Sequence, residues 1–204
     1  MTTSTGLARA TAKAFRLSEK TVLLHLKHIR TVRGNITFAG HGSSAADMTP
    51  LDAARLVIAT AGSAYAADAL RTLDRFAGLA LLRRRGSGST LEAWLAETID
   101  GLRSGEFRPR SGRDEHFARP DVLAQACMKL TWVEETHGDE LPRIATVRRL
   151  RAGGGQEVLT FASPSALKGP YVDEARLMDT LDEVRMTTTR TVSLRALQEV
   201  AAAL

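Results

Sequence analysis

The stretch from Gly6 to Arg33 constrains the fold of this chain more than any other segment. Arg16 and Leu17 predict a turn in its middle, and Ser18 is a favourable N-cap for a helix that starts after the turn. Apolar residues at helical spacing lie on both sides of the turn: Leu7, Ala10, Ala14 and Phe15 before it, and Val22, Leu26 and Ile29 after it. We therefore expect two short helices joined by a tight turn.

Positive charge is concentrated in the same segment. Residues 1–46 contain seven lysines and arginines against one acid, so their formal charge is 7 − 1 = +6, whereas the whole chain carries 28 − 23 = +5. Residues 47–204 therefore sum to 21 − 22 = −1. A solvated helix face normally mixes both signs, so this local excess of cations indicates a surface that meets phosphates.

The run Leu17-Ser18-Glu19-Lys20-Thr21-Val22, followed by His25-Leu26-Lys27, resembles the recognition helix of bacterial and phage helix-turn-helix regulators, especially the winged-helix ones. In that family a leucine closes the turn, serine or threonine opens the second helix, and an apolar residue follows the threonine. A winged domain continues with a two-stranded hairpin, but the segment from Gly34 to Gly42 predicts one short strand and a glycine loop. The resemblance is thus confined to the N-terminal segment, and either a reduced wing or a plain helical variant fits it.

The resemblance implies that the second helix lies in the major groove of DNA. Its groove-facing candidates are Lys20, Thr21, Leu24, His25, Lys27 and His28. Other cations are expected to bind phosphates without reading sequence: Arg9, Lys13, Arg16, Arg30 and Arg33.

The rest of the chain predicts an α+β fold in two parts. Residues 1–105 are expected to form an all-α helix-turn-helix bundle for DNA binding and oligomerisation. Three later helices are expected in this part. The first starts at Thr49-Pro50 and ends near Gly62, and the second runs from about Tyr65 to Leu82. The third starts at a capping box of Ser89 with Glu92 and ends at Gly105.

Residues 106–204 are predicted to form a small α+β domain whose role the sequence does not reveal. Its expected elements are a strand at Met128–Val133, a β-hairpin made by Arg143–Leu150 and Gln156–Phe161 around Gly153–Gly155, a threonine-rich strand at 187–191, and a C-terminal helix capped by Ser193.

Composition narrows the class of protein. The chain is 44% hydrophobic and 25% charged, which is typical of globular proteins. It contains no apolar run of about 18 residues and no secretory signal, so we expect a cytoplasmic, nucleoid-associated protein with no membrane contact. The single cysteine, Cys127, excludes an intramolecular disulfide and is interpreted as a small core residue.

Catalytic and metal-binding patterns are weak. The spacing of His25 and His28, with His41 nearby, could chelate a metal, but no carboxylate or thiolate accompanies them. The acids that a metal-dependent nuclease would need lack a recognisable spacing: Asp114, Glu115 with His116, Asp121, Glu134 and Glu135. The chain also lacks a phosphate-binding P-loop, a dinucleotide fingerprint and a nucleophile elbow. We therefore expect no enzyme activity, metal or cofactor.

These observations favour a sequence-specific, DNA-binding transcriptional regulator of bacterial or prophage type. Because single helix-turn-helix units bind weakly, we expect a homodimer on two half-sites of double-stranded DNA about one helical turn apart. Two alternatives stay open: a phage DNA-packaging oligomer similar to small terminases, which would form a ring, and a basic module that binds an acidic protein. A nuclease is a more distant alternative.

Overall fold

The computed structural model describes residues 2–32, 34–37, 46–82, 89–105, 127–133, 144–150, 156–163 and 187–204. Six α-helices, one 3-10 turn and five strands lie within these ranges, which confirms the predicted α+β class. The elements are α1 (Ser4–Phe15), α2 (Glu19–Ile29), α3 (Pro50–Gly62), the 3-10 turn (Ala66–Asp68), α4 (Ala69–Phe76), β1 (Ala80–Leu81), α5 (Leu91–Ser104), β2 (Cys127–Val133), β3 (Ile144–Leu150), β4 (Gln156–Ala162), β5 (Thr187–Ser193) and α6 (Leu194–Ala201).

Several helix ends follow from the capping residues that the sequence contains. The Ser18 hydroxyl accepts the Thr21 N–H at 3.0 Å and starts α2. Helix α3 begins with a complete capping box, in which Thr49 and Asp52 bind each other's backbone N–H groups. Ser193 caps α6 through the N–H of Ala196 at 3.2 Å, as predicted.

The predicted helix from Tyr65 to Leu82 is wrong in its second half. Helix α4 ends at Phe76, and Ala80 and Leu81 form strand β1 instead. Strand β1 pairs with the end of β4, and the Leu82 N–H donates to the carbonyl of Thr160 at 2.8 Å. Gly78 weakens helix continuation, and this long-range backbone pairing, which local periodicity does not encode, replaces it.

The cap of α5 lies one residue later than predicted. Thr90, not Ser89, accepts the Ala93 N–H at 3.3 Å. Glu92 is then free to pair with Arg55 of α3, with Nε and Oε2 2.8 Å apart, and Gly105 ends the helix in a left-handed conformation with φ 74°.

The five strands form one antiparallel sheet in the order β1-β4-β3-β2-β5. The predicted hairpin is confirmed as β3 and β4, with Ile144 opposite Ala162 and Leu150 opposite Gln156. The threonine-rich strand is confirmed as β5, which pairs with β2. Two features considered in the sequence lie outside the described residues: the glycine turn at 153–155 and the side chain of Cys127.

One hydrophobic core connects the helices with the sheet. It includes Leu7 of α1, Leu56 of α3, Phe161 of β4 and Leu197 of α6, each at most 2% exposed. Helix α6 packs on α1 and α5, and the Thr2 hydroxyl donates to the carbonyl of Ala203. Apolar side chains from both sides of residue 105 are therefore buried together, and the division at 105 stays a prediction about independently folding units.

Asp52 gives a test of the packing between α3 and the chain that follows α2. Its carboxylate is 2% exposed and accepts the Thr37 N–H at 2.7 Å and the Thr49 N–H and hydroxyl at 2.8 Å each. Asp52→Ala should lower the free energy of unfolding by about 2–4 kcal/mol, because three part-buried donors lose a charged acceptor and α3 loses half of its capping box. Chemical denaturation measures this.

The matched control is Asp74→Ala, which removes an exposed carboxylate from α4 and should change stability by less than about 0.5 kcal/mol. Equal effects of the two substitutions would show that the Asp52 contacts do not stabilise the fold.

Candidate nucleic-acid interface

A turn of three residues, Arg16 to Ser18, joins α1 to α2. Arg16 adopts the left-handed conformation, with φ 55° and ψ 39°, which is uncommon for a residue other than glycine. The Arg16 N–H donates to the carbonyl of Lys13 at 3.2 Å, and the Leu17 N–H donates to that of Ala12 at 2.9 Å. These bonds end α1 and redirect the chain within the length that is typical of helix-turn-helix units.

Helix α2 has two opposite faces. Its buried face consists of Val22, His25, Leu26 and Ile29. Its exposed face, at 100° per residue on the opposite side of the helix, consists of Lys20, Leu24 and Lys27 and continues to Thr31 just beyond the helix. Thr21 and His28 are half-buried and lie along one edge of this face. The structure therefore brings together five of the six predicted groove-facing side chains.

His25 is the exception, and its predicted role at the surface is corrected. The side chain is 1% exposed and lies on the same helix face as Val22, Leu26 and Ile29. Its Nδ1 is 2.8 Å from the carbonyl of Thr21, and its Nε2 is 3.0 Å from the hydroxyl of Ser63, which follows α3. His25 therefore links α2 to the end of α3 and cannot contact a ligand on the outer face.

The hydrogen on Nδ1 of His25 can be assigned from its partner. A carbonyl only accepts, so Nδ1 of His25 carries a hydrogen and donates to Thr21. Ser63 has one hydroxyl hydrogen and two acceptors within reach, Nε2 of His25 and the carbonyl of Ala59 at 2.6 Å. Burial lowers the pKa of His25 below 6.5; the hydrogen bond to Thr21 opposes this shift, and nearby His28 adds to it. The neutral Nδ1–H form thus predominates at neutral pH.

The cations predicted to bind phosphates occupy different positions. Arg9 and Lys13 are exposed one turn apart on α1, and Arg16 is exposed in the turn. Arg9 also pairs with Glu19 of α2, with Nε and Oε2 3.2 Å apart, and such an exposed pair contributes little to stability.

Arg30 is half-buried, and burial lowers its pKa while the negative charge of Asp52 opposes the shift. It thus lies beside an interior carboxylate rather than fully on the outer surface. Arg33 and His41 lie outside the described residues.

Sequence reasoning missed two residues of this region. The helical period from Lys20 could have found Thr31, which continues the exposed face one turn beyond Lys27. No local signal could have found Ser63, because 38 residues separate it from His25.

The described residues bear on only some of the remaining hypotheses, which concern a metal site, a nuclease and a membrane span. Across the ranges described above, no three histidine, cysteine or acidic side chains are placed to hold a metal ion. The acids considered for a nuclease, which lie between positions 114 and 135, are outside those ranges. None of the helices that the structure describes has the length and hydropathy to cross a bilayer.

No protein-family model, curated protein or solved structure matches the chain. The function of the site is therefore inferred from its residues and geometry.

The lowered pKa of His25 predicts how stability depends on pH. The unfolded chain binds a proton at His25 more readily than the folded protein does, so this contribution to stability is fully present above pH 6.5. It decreases as the pH falls from 6.5 through the folded pKa. Histidine titrates between about pH 5 and pH 8. Chemical denaturation of the parent protein and of His25→Gln across this range measures how the free energy of unfolding depends on pH.

His25→Gln should remove part of the acid-induced loss of stability, whereas His28→Gln, which changes a half-buried histidine of the same helix, should retain it. Identical pH profiles of the parent and His25→Gln would contradict the assignment of a buried, neutral imidazole.

Proposed function

We propose that this protein is a sequence-specific binder of double-stranded DNA, of the kind that regulates transcription in a bacterium or prophage. The observation that carries the proposal is the exposed face of α2, on which Lys20 and Lys27 lie opposite the buried face of the helix. The three-residue turn before α2 supports the same function.

The dimensions of α2 suit a DNA groove. An α-helix with its side chains is about 10–12 Å wide, and the major groove of B-DNA is about 12 Å wide. Lys20 and Lys27 are seven residues apart, which separates them by about 10 Å along the helix axis. They can therefore reach different base pairs, with guanine O6 and N7 as the favoured acceptors. Leu24 lies between them, is 42% exposed, and suits a thymine methyl group.

The surroundings of α2 suit the phosphate backbone. Among residues 2–32, the lysines and arginines number six and Glu19 is the one acid, so the formal charge is 6 − 1 = +5. Arg9, Lys13 and Arg16 extend the positive surface from α2 onto α1 and the turn. Contacts from such residues to phosphates fix orientation and register, while α2 supplies the sequence preference.

The proposed protein acts as a homodimer on two half-sites, is cytoplasmic and associates with the nucleoid. The sheet and α6 would then provide oligomerisation or effector contacts. A ring-forming packaging protein would have the mass of many subunits in solution. A basic module that binds an acidic protein would bind duplex DNA no more tightly than another polyanion such as heparin.

Lysine substitutions test the proposal directly. Lys20→Ala and Lys27→Ala should each weaken binding to a duplex selected from random sequences by about five- to thirtyfold, because each removes a charged contact. Where the lysine contacts a phosphate, the slope of log affinity against log salt should also fall by about 0.9. Fluorescence anisotropy at several salt concentrations measures both quantities.

Arg195→Ala is the matched control, because it removes one exposed cation from α6 and leaves α2 intact. Its affinity should equal that of the parent protein. Unchanged affinity in both lysine variants, in a protein that binds the duplex, would exclude α2 from the interface.

A further inference from the structure

Helix α2 has a different neighbour on each side of its exposed face. On one side Arg9 of α1 pairs with Glu19. On the other side His25 holds Ser63 at 3.0 Å, so the segment that begins at Ser63 lies beside the edge formed by Thr21 and His28. We call residues Ser63–Asp68 the flanking turn.

A helix in the major groove meets phosphates on both sides. Because the groove is about as wide as the helix, one phosphodiester strand passes along each side of it. In the proposed complex, α1 with Arg9 and Lys13 faces one strand. The flanking turn then faces the other strand of the same groove.

Tyr65 is the large exposed side chain of the flanking turn. It is 73% exposed, more than any other large hydrophobic side chain in the part of the chain that the structure describes. The turn and the start of α4 also expose Asp68 and Arg71, whose formal charges cancel. The flanking turn itself contains no lysine or arginine and its Ser63 is buried, so the exposed donor that it offers is the neutral hydroxyl of Tyr65. Tyrosine hydroxyls commonly donate to DNA phosphates.

We infer that Tyr65 donates its hydroxyl to a phosphate of the strand opposite α1, so that α2 is held in the groove from both sides. This inference rests on the proposed DNA binding. The contact would fix the position of α2 and would read no sequence itself. Its signature differs from that of a lysine contact, because a neutral donor displaces no counterion.

The experiment compares the parent protein with Tyr65→Phe on the same duplex selected from random sequences, by fluorescence anisotropy at several salt concentrations. Removing only the hydroxyl should weaken binding by about tenfold or more at every salt concentration, the size of one hydrogen bond to a charged acceptor. The slope of log affinity against log salt should not change. Val158→Ala is the control, because Val158 is a 48% exposed side chain of β4, and its affinity should be that of the parent.

Tyr65→Ala provides a second variant, and unchanged thermal unfolding shows that both variants fold. Parental affinity in both Tyr65 variants, together with weakened binding of Lys20→Ala, would overturn the inference and leave the proposed function standing. A lower salt slope in Tyr65→Phe would contradict a neutral contact. If the parent protein binds no duplex at any salt concentration, both the inference and the proposed function fail.

Discussion

The hydrogen bonds of the buried His25 side chain connect the exposed face of α2 to the rest of the protein. They join the carbonyl of Thr21 to Ser63 at the end of α3, so the outer face of α2 has a fixed direction relative to the core. Removing such a buried group leaves its partners unsatisfied, which costs more than the net worth of the bonds. The orientation of Lys20 and Lys27 therefore depends in part on a residue that is buried inside the protein.

The chain that follows α2 is held by a second set of contacts. Arg55 donates from Nη1 to the carbonyls of Gly34 at 2.6 Å and Asn35 at 3.1 Å, while its Nε pairs with Glu92 of α5. The carboxylate of Asp52 accepts the N–H of Thr37. The turn at Arg16 thus fixes the chain before α2, and contacts with α3 fix the chain at residues 34–37, a few positions after the helix. A rigidly placed helix loses little conformational entropy when it binds, which favours a pre-formed interface.

The chemistry of neighbouring residues was sufficient to predict much of the fold. Ser18 and Ser193 mark helix starts because their hydroxyls replace missing backbone partners, and the alternation on both sides of the glycines defined the β3–β4 hairpin. The helical period also separated Lys20, Leu24 and Lys27 from the core face. These features depend on neighbours within a few positions in the chain.

Features that depend on distant partners were missed. Ala80 and Leu81 fit a helical stripe, but they pair with β4 about 80 positions later. His25 was expected to face the groove because it belongs to the run that resembles a recognition helix. The carbonyl of Thr21 and the hydroxyl of Ser63 instead satisfy its ring inside the protein. The sequence did not predict a role for Tyr65, because its position beside α2 depends on the contact between His25 and Ser63.

The most direct measurement of the central claim is a map of backbone amide chemical shifts for the 204-residue chain as duplex DNA is added. The account predicts that the largest changes fall on α1, the turn at Arg16 and the segment from Lys20 to Thr31, with smaller changes at the flanking turn. Changes confined to the sheet and α6, or their absence from α2 in a protein that binds the duplex, would contradict it.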